Sequence, residues 1–191
     1  MNRINTYLTL ACLLFFALLP AIAQDKTKAS GFRGECLKQM QDAQDKILEL
    51  AGAIPQEKFT SRPGEGVRSV SEVLMHIAGS NYLFPRIAGI KEPEGYDRTM
   101  EKTVTDKAKI IEVLKQSFDH QRNAILNTPD ADIDKQTKMF GNETTIRNVF
   151  FTMATHAHEH LGQSIAYTRM LGIVPPWTAR EQEAEKKQVK K

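Results

Sequence analysis

Four stretches of this chain repeat apolar residues at spacings of three and four, and none alternates with a period of two over a strand's length. That periodicity restricts the fold to packed helices and gives a sheet no support. The first stretch, about residues 32–54, turns Cys36, Met40, Ile47, Leu48 and Ala51 to one side and ends at Gly52 to Pro55. The second opens with Ser69-Val-Ser-Glu72, a capping box in which serine and glutamate satisfy each other's backbone donors. It runs to about Pro85, with Val70, Val73, Leu74 and Ile77 facing inward. The third, about residues 106–126, carries Ile110, Ile111, Leu114, Phe118 and Ile125. The fourth, about residues 145–171, carries Ile146, Val149, Phe150, Met153, Ala157 and Tyr167, and Gly172 with Pro175-Pro176 stops it. The expectation is an all-α, four-helix bundle. Residues 88–102 and 129–141 read as long loops that cross an end of the bundle or cover a site.

The amino terminus carries a different message. Arg3 is the one charge ahead of an apolar run of twelve, residues 8–19, which Pro20 breaks before Ala21-Ile-Ala23. That order matches a secretory signal cleaved after Ala23. The run is too short for a spanning helix, which needs about 20 apolar residues, so no stable membrane insertion is expected after cleavage. The expected organisation is a signal peptide over 1–23, a linker over 24–31, the bundle over 32–177 and a charged tail over 178–191. The tail holds five basic and three acidic side chains and no apolar stripe, which reads as a solvated, frayed helix or tail. The expected location is periplasmic or secreted, in a bacterial cell envelope. After cleavage Cys36 is the remaining cysteine, so the fold stands on packing without an internal disulfide, and Cys36 itself reads as a small core residue. A net charge of +3, falling by one with loss of Arg3, and the lack of a basic stripe argue against a nucleic-acid partner.

The five histidines, His76, His120, His156, His158 and His160, carry the chemistry. His156 and His160 are one helical turn apart, about 40° on the helical wheel. Neighbours at that spacing can share one ion. Met153, Ala157 and Tyr167 flank them on the apolar stripe, so the pair faces the interior, where an unpaired charged imidazole is costly. The spacing alone fits two core histidines bonded to carbonyls or to Tyr and Gln side chains equally well. His76, beside Val73, Leu74 and Ile77, supplies a third imidazole facing the same core. His158, about 200° from His156, and His120, opposite the stripe of the third helix, are expected at solvent.

Residues 61–76, Ser-Arg-Pro-Gly-Glu-Gly-Val-Arg-Ser-Val-Ser-Glu-Val-Leu-Met-His, resemble the loop and second helix of the DinB/YfiT-like metalloenzyme family. His156-Ala-His-Glu-His160-Leu-Gly-Gln163, followed by Gly-Ile-Val-Pro-Pro176, resembles that family's fourth helix and its exit. The resemblance covers about residues 32–177. It implies a four-helix bundle with a divalent metal on His76, His156 and His160. It also implies a choice of chemistries, since members of known activity include thiol transferases that use bacillithiol, mycothiol or glutathione. Two positions depart from the family's pattern: Leu161, where it often has arginine, and Arg68, where it often has an aromatic residue.

An all-nitrogen site of three ligands leaves a position open to water or substrate, the arrangement of a catalytic zinc. Zinc is the first expectation, with nickel, iron or manganese as alternatives. Gln163, about 20° from His156, is a candidate to support a ligand or bound water, and Glu159, about 60° off, is a rim carboxylate that could act as base or simply be solvated. Asn81 and Tyr82 are candidate pocket residues, and Gly162 reads as a packing glycine. The functional expectation is a metal-dependent hydrolase or transferase acting on a small molecule. The alternative is a non-catalytic metal- or ligand-binding bundle of the envelope, and either is compatible with a homodimer.

Overall fold

The computed structural model describes residues 29–189. The expected signal peptide, the first residues of the linker and the last two residues of the tail lie outside them. Four long helices make the bundle: α1 (Gly31–Ala53), α2 (Val70–Ile87), α4 (Lys107–Asn127) and α5 (Ile146–Met170). A single turn, α3 (Met100–Thr103), interrupts the connection from α2 to α4. A last helix, α6 (Pro176–Val189), has no buried residue and is tied back to α1 by Arg180 on Glu49. Helices α1 and α2 each pack between α4 and α5, so the first two helices lie across a diagonal.

The helix ends follow local chemistry. Ser69 Oγ accepts from the Glu72 amide at 3.3 Å while Glu72 Oε2 accepts from the Ser69 amide at 2.7 Å, so the expected capping box is present. Asp106 and Thr145 cap α4 and α5 in the same way, accepting from Lys109 and Asn148. At the far end of α5, Gly172 takes a φ of 76°, the left-handed turn that glycine adopts without steric cost. Helix α2 runs two residues beyond its expected end, through Pro85, because so near the helix end the missing proline N–H removes only one late ladder bond.

One expectation fails. Residues 136–145 are not loop but an antiparallel hairpin, β1 (Gln136–Met139) paired with β2 (Asn142–Thr145). The strands are four residues long, with half of their residues exposed and none buried, too short to show an alternating apolar pattern. Their turn, Phe140-Gly141, has positive φ at both residues (52° and 86°), the backbone hand that matches strand twist. The fold is thus a helical bundle with one small hairpin.

Two apolar clusters fill the interior. One gathers Ile47, Leu50, Phe59, Leu74, Ile110, Leu114 and Phe118 toward one end, and the other gathers Cys36, Met40, Phe84, Ile125, Phe150 and Met153 toward the opposite end. Each large side chain so buried contributes about 1.5–3 kcal/mol relative to exposure. Cys36 sits in the second cluster as expected, and burial pushes its thiol up to about 11, which leaves no thiolate for chemistry. The histidines lie where α2 and α5 pass between these clusters.

Candidate metal centre

The stripe of α2 that buries Val73 and Ile77 also presents His76, and α5 presents His156 and His160 toward it. Ligand atoms of the three imidazoles all lie within 4.8 Å of one another, and this is the group of that kind among the described residues. His156 and His160 face each other Nε2 to Nε2 at 3.1 Å. Ring centroids are 4.8 Å apart for His76 and His160 and 5.4 Å for His76 and His156. His160 is 8% exposed and the other two are half-buried.

The electrostatics hold His156 and His76 in their neutral forms. Burial first, then the neighbouring His160 and His76 rings, hold the His156 imidazole at about 3, far below its ordinary range. Burial, then the Arg68 charge, lowers His76 as well. Neutral imidazoles offer lone pairs, and two bare lone pairs at 3.1 Å repel unless a proton or a cation lies between them. Two nitrogens bound to one tetrahedral ion at 2.0–2.1 Å are separated by roughly 3.3 Å. The donor set therefore fits a nitrogen-ligated divalent ion.

Around the cluster, Gln163 Oε1 lies 2.8 Å from His160 Nδ1, and Gln163 Nε2 donates to the Tyr167 hydroxyl at 3.1 Å. Gln163 thus bonds the ring of His160, one of the three expected ligand imidazoles. Glu101 of α3 lies 3.1 Å from His76 Nδ1 through Oε2 and accepts from Arg68 Nε at 2.9 Å through Oε1. Burial alone would raise the Glu101 carboxyl, but the bonds from Arg68 and His76 outweigh it and hold it low. Glu101 was not singled out by sequence reasoning. Its approach depends on how the connection folds back over α2, although that connection does cover a site, as expected of residues 88–102.

Beside His76 a cleft of about 180 Å³ opens between α2 and this connection, lined by Gly79, Ser80, Leu83, Tyr96 and Arg98 among others. A Cβ on Gly79 would meet the Tyr96 hydroxyl at 2.8 Å, so a glycine there lets the phenol lie against α2 one turn from His76. Across the cluster, Phe84 packs on the His156 ring at 5.3 Å, and the hairpin tip brings Phe140 to 6.5 Å from Phe84.

Several expected placements change. Asn81 and Tyr82 do not line the cleft: Asn81 donates to Ser117 at 3.1 Å, and Tyr82 stacks on Tyr96 and His120. They follow His76 by more than a full turn and face α4, while Gly79 and Ser80 occupy the face His76 shares. His120 is half-buried against Tyr82 at 5.3 Å instead of facing solvent, and its Nε2 is buried without a hydrogen-bond partner. His158 points away from the cluster, but its Nε2 meets the Gln39 carbonyl of α1 at 3.1 Å instead of open water. Glu159 is exposed. The carboxylate that reaches the cluster is Glu101.

The second and last long helices of a helical bundle thus bring three histidines together in its interior, a group of the kind that can hold a metal ion. The DinB family model matches residues 24–189, and the chain belongs to the DinB family. It is 27% identical over 128 residues to the uncharacterized protein YjoA of Bacillus subtilis strain 168, covering 65% of this chain and 80% of YjoA. Among solved structures, a DinB-like protein from Bacillus cereus ATCC 10987 aligns with a TM-score of 0.65 at 18% identity, over 74% of this chain and 93% of that one. YfiT from Bacillus subtilis, named a probable metal-dependent hydrolase with an unusual four-helix bundle topology, aligns with a TM-score of 0.60 at 13% identity, over 77% and 92%. At these identities the structural likeness speaks for the fold.

Proposed function

We propose that this chain is an exported metal-dependent hydrolase or transferase acting on a small molecule in the bacterial cell envelope, with His76, His156 and His160 as metal ligands. The observation that carries the reading is the convergence of three imidazoles from two helices to within 4.8 Å, beside a cleft open to solvent. Zinc is the first candidate ion, with nickel, iron or manganese as alternatives. An ion held by three nitrogens supplies a Lewis acid with a coordination position left for substrate or water. The chain's own side chains do the rest: Gln163 steadies the His160 ring, Leu83 and Tyr96 wall the cleft, and Ser80 and Arg98 present donors along it. Those polar groups favour a reacting site over a sealed, non-catalytic binding bundle. YfiT, named for metal-dependent hydrolysis, shares the fold, which supports the hydrolase side of the reading.

Untagged protein purified without chelator is expected to carry about one equivalent of divalent metal per chain, measured by plasma mass spectrometry. Protein that arrives empty and takes up none of the four ions on titration would remove the reading. For export, the precursor is expected to lose about 2.5 kDa on maturation and to leave the cytoplasm. Intact residues 1–23 on the mature product, seen by mass spectrometry, would defeat that part alone.

A further inference from the structure

We propose that Glu101 is a positioning residue for this centre: its carboxylate fixes the His76 ring with Nδ1 protonated, so that Nε2 is the free nitrogen that serves the ion. The inference rests on the three-histidine reading and adds to it a residue from outside the two ligand-bearing helices.

The two oxygens of Glu101 have separate partners. Oε1 accepts from Arg68 Nε at 2.9 Å, and Oε2 lies 3.1 Å from His76 Nδ1. A glutamate carboxylate at neutral pH only accepts hydrogen bonds, so the proton of the second bond resides on Nδ1. A neutral imidazole has one N–H, which leaves the lone pair on Nε2. His160 is held in the same sense by an amide: Gln163 spends its NH₂ on Tyr167 and turns its oxygen to His160 Nδ1 at 2.8 Å.

The two supports differ in strength and in origin. A charged acceptor bonds a ring N–H more strongly than an amide does, and it raises the basicity of the opposite nitrogen. Gln163 is three residues from His160 on the same helix, so its bond follows from helical spacing. Glu101 is 25 positions from His76 and reaches it because α3 docks on α2. Arg68, next to the Ser69 cap, holds the other oxygen and sets the carboxylate in register with the ring. The side chains of His76 and Glu101 are 25% and 24% exposed, so water competes with this bond at one edge only.

Three variants separate positioning from docking. Glu101→Ala removes the acceptor, Glu101→Gln retains a neutral one, and Arg68→Ala cuts the other tie of Glu101 while leaving it on His76 and leaving Lys102 of α3 on Glu72. Zinc affinity, measured by competition with a chromophoric chelator, is expected to fall about 10–100-fold in Glu101→Ala. Glu101→Gln should recover much of that loss, and Arg68→Ala should change affinity less than Glu101→Ala. In zinc-free protein, nitrogen-15 imidazole spectra should show His76 as one Nδ1–H tautomer in the parent and as a mixture in Glu101→Ala. Unchanged zinc affinity with an unchanged His76 tautomer in Glu101→Ala would overturn the proposal. An equal affinity loss in Arg68→Ala would also overturn it, by assigning the effect to docking of α3. Because the tautomer is read without metal, a Glu101-dependent tautomer in protein that takes no zinc would support the hold on His76 and overturn the three-histidine reading alone.

Discussion

Replacing any one of His76, His156 or His160 with alanine is expected to abolish metal-dependent stabilisation of this protein, while His120→Ala and His158→Ala leave it in place. The ligands sit on α2 and α5, which are separated by the whole of α3, α4 and the hairpin. An ion that binds this group binds the folded chain only. By mass action it adds about 3–4 kcal/mol at free metal 100–1,000 times its dissociation constant. For a domain of this size that is a rise in melting temperature on the order of 10 °C. Chelation should remove the rise and added metal restore it, and each of the three variants should melt at one temperature with or without metal. The metal-free fold is expected to persist, because the two apolar clusters on either side of the histidines do most of the burying. His76→Ala is the decisive variant. A pair on α5 alone could hold an ion weakly, so an intact response without His76 would show that α2 plays no part.

That site was legible because helical period and burial agree on it. The 3.6-residue repeat puts His156 and His160 on the face of Met153 and Ala157, and it puts His76 beside Val73 and Ile77. Period also placed the ends of α2 and α5, through the Ser69 box and the Gly172 turn. It says less about what covers a helix face. His120 does lie off the apolar stripe of α4, yet Tyr82 closes over it, with Tyr96 of the α2–α4 connection stacked on Tyr82. Asn81 was read toward the cleft because it follows His76 closely, but α4 lies on that side and takes it through Ser117. Glu101 left no trace at all, since a carboxylate gains its meaning from the ring it meets and not from its spacing. The hairpin escaped for a related reason: strands of four residues, two of them exposed in each, bury too little to leave a period, and its one local signal is Phe140-Gly141 at the turn.

Acid should destabilise the metal-free protein between pH 6.5 and 4.5, earlier than its carboxylates can account for. In the folded chain His156 titrates at about 3, against about 6.5 when unfolded. A histidine with a depressed folded value favours the native state fully above its unfolded value. As pH falls below 6.5 the unfolded chain takes up a proton that the native chain refuses, and stability is lost until the folded value is reached. His76 and His120 are lowered too, both chiefly by burial, and add to the slope with the same sign. Glu72 and Glu101 are held below 4.5, so their contribution is lost only at lower pH. From pH 6.5 to 4.5 the share of His156 is on the order of 2 kcal/mol, allowing for its partial exposure. Urea unfolding of chelated protein at several pH values reads this directly. His156→Gln keeps a polar group that does not titrate, so its stability should fall less steeply across that window. In metal-loaded protein the same protons compete for the ligand nitrogens, and the parent should release its ion as pH drops below about 6.5. If chelated parent and His156→Gln lose stability in parallel from pH 6.5 to 4.5, the neutral, buried His156 on which the site depends is not there.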